Sequence, residues 1–335
     1  MATQEATDLE EFRFRDLHPG VWIGMASDRF AGWVGQIYSE GRYTKGMNRR
    51  IHTVGGKPFV EETLPLESVG EYFEHFPVLE IDYTFYRPLL DSDGEPTQSY
   101  HVLREYSRYL KEGDHLVLKV PQIICAQKLW RGKAFVPNEF YLSADLFTNQ
   151  FYEPAVKLLG SSLSGFIFEQ EYQRKSDRVP AAELAETFNV FFGSIPKDKR
   201  YHVELRTEAY LSEPVFGVLE KHGVGLVLSH WTWLPPLEKQ FEKTGRRFFN
   251  GDRQSIVRLI TPLRMTYEES YAKAFPFTQL IEGMLDSRMI EETVRLLRAG
   301  IEQGLQMTLI INNRAGGNGP IIATLIARRF LRLSA

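Results

Sequence analysis

The sequence contains a single cysteine, Cys125, in 335 residues, so no disulfide can close within the chain and stability must come from an apolar core. No run approaches the ~18 uninterrupted apolar residues that a membrane-spanning helix requires. Neither sign of charge dominates: 40 Lys and Arg against 43 Asp and Glu leave a net charge of −3, without the basic field on which non-specific nucleic-acid binding depends. The opening MATQEATDLEEF is acidic where a secretory leader is basic and then apolar, so the expected location is the cytoplasm. Also missing are a G-x-G-x-x-G turn after the first strand-like run, an H-E-x-x-H pair and any internal repeat, which removes the simplest dinucleotide, zinc-protease and solenoid readings.

What is present is a β-rich run recurring eight times: VWIGMAS at 21–27, VLEIDYT at 78–84, HLVLKVP at 115–121, GFIFEQE at 165–171, YHVELRT at 201–207, GLVLSHW at 225–231, SIVRLIT at 255–261 and MTLIINN at 307–313. Such runs are expected of parallel strands buried on both faces. Amphipathic stretches at 67–76, 98–112, 139–159, 180–193, 211–222, 285–303 and 319–333 fall between or after them, and this alternation is the α/β signature. Eight units point to a (β/α)8 TIM-like barrel, with an open parallel sheet as the alternative. The connections at 28–66 and 262–284 exceed the usual few residues, so long loops are expected after strands 1 and 7. Residues 1–17 read as a frayed arm, and 18–335 as one barrel domain.

Several runs, taken in order, carry a family resemblance: WVGQIYSEG at 33–41, LEIDYTFYR at 79–87, VLKVP at 117–121, VELR at 203–206, LEKHGVGLVLS at 219–229 and INN at 311–313. From about residue 21 onward the chain resembles the YecE-like family, a family of unknown function. The resemblance implies a TIM-like barrel and brings no reaction with it. Distant similarity to sugar-isomerase-like and repair-endonuclease barrels is an analogy of fold. The chain departs from the family pattern at Glu169, Gln170, Glu171 and Tyr172 after Phe168, where relatives read Q-L-P-P. It also departs at Thr207 in place of His, at His230 in place of Asp, and at Leu259 and Ile260 after Arg258.

Side chains alternate between the two faces of a strand. With Leu79, Ile81, Val203 and Leu205 facing the helices, Glu80, Asp82, Glu204 and Arg206 turn inward. The same parity sends Lys119, Glu169, Glu171 and Arg258 into a bore that Val, Ile and Leu usually fill. Buried charges persist only when paired, hydrated or used, which leaves two readings: a structural ion-pair network, or an active site at the strand C-termini. On the second, Glu204 is the acid or base, and Lys119, Arg206 and Arg258 stabilise negative charge. Glu80, Tyr86, Glu169, His230, Asn312 and Asn313 are candidate substrate-binding residues. Gly316 and Gly317, in the run Asn312 to Pro320, would offer backbone N–H groups to an anion, although Gly and Asn are equally the residues of an ordinary turn.

A carboxylate-rich metal site from Glu169, Glu204 and His230 is the weaker alternative, since no ligand spacing supports it. Neither an organic cofactor nor a metal is expected. Cys125 lacks a recognisable catalytic partner and reads as an inert buried thiol. Trp33, Trp231 and Trp233 are candidates for a cleft wall.

The sequence thus supports an enzyme of hydrolase, lyase or isomerase type acting on a small anionic, phosphorylated substrate. Its competitors are a nucleic-acid processing protein, which the charge balance does not favour, and a non-catalytic binding barrel. No membrane association is expected, and no pattern sets an oligomeric state.

Overall fold

The computed structural model describes residues 7–332. Eight parallel strands close into a barrel: β1 (Val21–Ala26), β2 (Val78–Ile81), β3 (His115–Lys119), β4 (Leu163–Gln170), β5 (Tyr201–Leu205), β6 (Gly225–His230), β7 (Gln254–Leu259) and β8 (Gln306–Ile311). Neighbours follow chain order, with β1 joining β8 on one side and β2 on the other.

Helices surround the ring. These are α1 (Val69–His75), α2 (Gln98–Ser107), α4 (Ala181–Ser194), α5 (Glu213–His222), α6 (Leu237–Lys243), α7 (Ser287–Glu302) and α8 (Gly319–Arg332), with α3 built from Ala144–Phe147, a π-helical turn Thr148–Tyr152 and Glu153–Leu159. Two of them show how the sequence sets helix ends. Asp286 caps α7 by accepting from the Arg288 N–H, and α5 stops at Gly223, whose φ of 65° suits glycine.

The alternation read from sequence divides the strands cleanly. Outward side chains such as Ile23, Leu79, Leu118, Phe168, Val203, Leu228, Val257 and Leu309 join the helices in one continuous core. Inward side chains make two storeys. The lower one is apolar, formed by Ala26, Val78, Val117, Ile167, Val227, Ile256 and Ile310. The charged residues lie one inward position further toward the strand C-termini, where active sites of such barrels form. Gly24 allows β1 to approach β2 closely: a Cβ there would sit 1.9 Å from the Val78 carbonyl oxygen.

Long connections leave the same end of the barrel. After β1 comes an antiparallel hairpin, Asn48–Val54 with Lys57–Thr63; after β7 comes a helix, Tyr267–Ala274, opened by a Thr266/Glu269 capping box. The two dock: the Phe59 and Tyr271 rings meet at 5.1 Å, and Tyr271 donates to Glu61. A third insertion, the short hairpin Lys128–Trp130 with Phe135–Pro137 after β3, has no counterpart in the sequence reading.

The expected frayed arm requires correction over its described residues 7–17. Phe14 is buried and stacks on Phe76 at 5.0 Å. Arg15 donates to the Phe73 carbonyl at 2.7 Å and pairs with Asp114 at 2.7 Å. Since Phe76 precedes β2 and Asp114 precedes β3, the arm is fastened under the barrel floor. The remainder of that segment, 1–6, lies outside the described residues. Among the described residues no helix is long and apolar enough to cross a membrane.

Candidate functional site

The upper storey of the bore is an ion-paired network. Arg258 on β7 reaches Glu80 on β2 through two parallel hydrogen bonds, Nε to Oε2 at 2.7 Å and Nη2 to Oε1 at 2.6 Å, and its Nη1 donates to Glu204. The other Glu204 oxygen accepts from the Ser229 hydroxyl at 2.5 Å. Glu169 receives Lys119 Nζ at 2.6 Å and Arg206 Nη2 at 2.8 Å. Three carboxylates therefore face three cations in a layer where Glu204 is 0% and Arg258 3% exposed.

Such a layer is stable only because it is paired, and removing one member of a buried pair costs about 3–5 kcal/mol. Burial alone would raise the proton affinity of Glu169, but Arg206, Lys119 and Arg258 outweigh it and hold that carboxyl far below the usual range. Burial works likewise against charge on Arg258, and Glu204, Glu80 and Glu169 overcome it, keeping the guanidinium charged.

Above this layer lies the mouth. Lys119 Nζ sits over the Phe85 ring at 4.1 Å, and the Arg206 guanidinium over the Trp231 ring at 5.0 Å. Tyr172 packs against Trp231 and Trp233, at 6.2 and 6.0 Å, and Tyr86 is 80% exposed at the rim. Arg314, three residues past β8, lies over Tyr267 at 4.1 Å. Burial, reinforced by Arg206, makes its positive charge harder to hold than usual. Arg206 Nε and Arg314 Nε are both buried without a hydrogen-bond partner.

The bore thus unites Glu80, Lys119, Glu169, Glu204, Arg206 and Arg258. Other residues singled out from the sequence lie elsewhere. His230 follows the inward Ser229 and occupies the opposite face of β6, where its Nδ1 bonds the Thr261 carbonyl at 2.8 Å and burial lowers its proton affinity. It cannot join Glu169 and Glu204 around a metal, and no cluster of three or more acidic, His or Cys ligands exists among the described residues.

Glu171 lies past the end of β4 and accepts from the Gln127 N–H at 2.7 Å, fastening the β3 insertion. Trp33 is a core residue, donating to Asn313 Oδ1 at 3.1 Å. Cys125 is buried, and its thiol is pushed to a higher pKa by that burial.

The glycine run after β8 also differs from the anion cradle considered above. The Gly316 and Gly317 N–H groups both donate to the Asn313 carbonyl, and Asn313 Oδ1 accepts from Gly319 N–H. Asn312 Oδ1 accepts from Arg314 N–H. A Cβ on Gly317 would meet the Gln279 carbonyl oxygen at 2.3 Å, so glycine is there to let the β7 connection pack. What this loop contributes to the mouth is the side chain of Arg314.

Sequence reasoning missed Arg314 because the neighbouring glycines were the stronger signal. It also missed Asp28, at the end of β1, which meets the Tyr106 hydroxyl of α2 at 2.8 Å across 78 residues of chain. A buried carboxyl just past a barrel strand was the only clue available.

A family model described as "Protein of unknown function DUF72" matches residues 52–333. Among solved structures, a DUF72 family protein from Enterococcus faecalis V583 is 16% identical with a TM-score of 0.55, covering 94% of this chain and 96% of its own. A DUF72 family protein from Thermotoga maritima MSB8 is 14% identical with a TM-score of 0.53, covering 93% of this chain and 99% of its own. At these identities the likeness is one of fold. No curated protein matches.

Proposed function

The chain belongs to the DUF72 family, which is the YecE-like family, and from that premise we propose that its barrel mouth binds a small anionic molecule and acts on it by general acid–base chemistry. One observation carries the proposal: Arg206 and Arg314 bring two guanidinium groups together at the mouth, each with a buried Nε lacking a partner. The layer beneath is already balanced, Glu80, Glu169 and Glu204 against Lys119, Arg206 and Arg258. Among the described residues, no carboxylate lies within 4.0 Å of Arg314, so it is the charge in excess. Like charges in a partly desolvated site repel, and an anion between them relieves both the repulsion and the unmet donors. A phosphate or carboxylate has the geometry for two guanidinium forks.

The aromatic rims add a preference. Trp231 and Tyr267 back the two guanidinium groups, and exposed Tyr172 and Trp233 extend the surface, so a ring-bearing anion such as a sugar phosphate or nucleotide suits the mouth better than a bare ion. Lys119 and Arg206 are the cations that negative charge on a ligand would meet. Glu204 and Arg258, buried and mutually bonded, support them from below.

A second reading, a binding barrel without catalysis, is favoured by the saturation of Glu80, Arg258 and Glu204. A thermal-shift screen of phosphate and carboxylate metabolites tests the shared claim of anion binding. Stabilisation of the native protein that is lost in Arg206→Gln and Arg314→Gln supports it, and absence of any stabilising anion refutes it. Turnover of a stabilising ligand, followed by NMR, separates catalysis from binding.

A further inference from the structure

One carboxyl at the strand C-termini is held by no cation. Asp28 is 2% exposed, and among the described residues no Lys, Arg or His nitrogen lies within 4.0 Å of it. Its Oδ1 accepts from the Tyr106 hydroxyl at 2.8 Å, while its Oδ2 is buried without a partner. The Tyr83 hydroxyl nearby is likewise buried and unpartnered. Ser27, which joins Asp28 to β1, has φ of 72°, a left-handed conformation that costs a residue with a side chain free energy. Its hydroxyl lies 3.3 Å from Asp82 at the end of β2.

The charged and titratable groups around Asp28 are its neighbour Arg29, Tyr38 of the first loop, Tyr72 of α1, Asp82 and Tyr83 after β2, and Tyr106 of α2. Asp82 acts electrostatically on both Asp28 and Arg314, and so connects this cluster to the proposed anion seat.

We propose that Asp28 is a proton-exchanging group of the barrel mouth, and that an anion seated at Arg206 and Arg314 binds together with one proton taken from solvent onto the Asp28 carboxyl. The inference rests on the anion seat proposed above. Burial, with Asp82 reinforcing it and Arg29 and Tyr106 opposing it, raises the pKa of this carboxyl to about 6. It therefore changes charge within the range where a bound anion can tip it. Negative charge added nearby favours the neutral acid, and by reciprocity the neutral acid favours the anion. The free Oδ2 then supplies an O–H beside the unpartnered Tyr83 hydroxyl, an acid poised for the chemistry proposed for the mouth.

Sulfate is a suitable probe because it does not titrate near pH 6. Its affinity for the full chain is measured by calorimetry from pH 5 to 7.5, in the native protein and in Asp28→Asn, which mimics the protonated acid. The expected result is weakening of sulfate binding as pH rises through 6, about tenfold for each pH unit by which the anion moves the Asp28 midpoint. In Asp28→Asn, binding stays tight and flat over the same range.

Equal pH dependence in both proteins, or none in the native one, overturns the linkage and leaves the anion seat standing. No sulfate binding by either protein at pH 5 removes both. Should Asp28→Asn fail to fold, a carboxyl carbon NMR titration of the native protein decides: a midpoint near 6 that rises with sulfate supports the inference, and a midpoint unmoved by sulfate ends it.

Discussion

Arg258 and Glu80 face each other across the bore from β7 and β2, joined by two parallel hydrogen bonds of 2.7 and 2.6 Å. Arg258→Met leaves Glu80 and Glu204 buried beside an apolar chain. The expected loss is about 3–5 kcal/mol of unfolding free energy in urea. Replacing the group as a whole, with Glu80→Leu and Glu204→Leu added to Arg258→Met, should recover most of that loss, because it removes the unpaired charges. A single substitution costing under about 1 kcal/mol would mean that water already reaches this layer.

Arg314 should behave in the opposite way. It holds a buried charge close to Arg206 with no carboxylate in contact, so Arg314→Gln is expected to leave the melting temperature of the unliganded protein unchanged or higher. A ligand at one hundred times its dissociation constant stabilises the native state by about 2.7 kcal/mol, and the variant should lose that increment. A marked fall in unliganded stability would instead assign Arg314 to the scaffold.

The pH dependence of folding separates two carboxyls. Glu169 has a depressed folded pKa; its stabilising contribution is present above the unfolded value and is lost as pH falls toward the folded one, so acid weakens the protein progressively below about pH 4.5. Asp28 runs the other way. Its folded pKa of about 6 exceeds the model value of 3.8, so its contribution is full below the unfolded value and disappears as pH rises to 6. Asp28→Asn should therefore gain stability over the native protein between pH 4 and pH 6.5, on the order of 1–3 kcal/mol, and the gain should level off above that. Urea midpoints measured across this range check the sign.

Phe14 offers a test far from the mouth. It is buried and stacked on Phe76 beneath the barrel, and Phe14→Ala is expected to cost about 3–5 kcal/mol. Protection of the 7–17 segment from proteolysis should fall with it. Unaltered stability would return this segment to the status of a loose arm.

The barrel was legible because strands buried on both faces write two messages at once. Val203 and Leu205 announced the outer wall, which left Glu204 and Arg206 for the bore, and the same parity assigned Glu80, Lys119, Glu169 and Arg258. Parity fails where the strand stops. Glu171 was read inward, but β4 ends at Gln170 and the next residue belongs to a loop. The second run was read to 84, whereas β2 ends at Ile81 and the chain turns into a short 3-10 helix at Tyr83–Tyr86.

Contacts between distant elements left no local trace. Asp28 and Tyr106 meet only because α2 packs beside β1 and β2, and nothing near Arg314 in the sequence says that Arg206 lies opposite. The glycines at 316 and 317 misled because a glycine needed for close packing and one needed for a ligand look alike in sequence.

Seven small and branched apolar side chains close the bore below the charged layer, from Ala26 and Val78 round to Ile310. The interior is consequently a cul-de-sac with a single doorway. Solvent, solute and product share that passage, so a bulky visitor at the threshold bars whatever stands behind it.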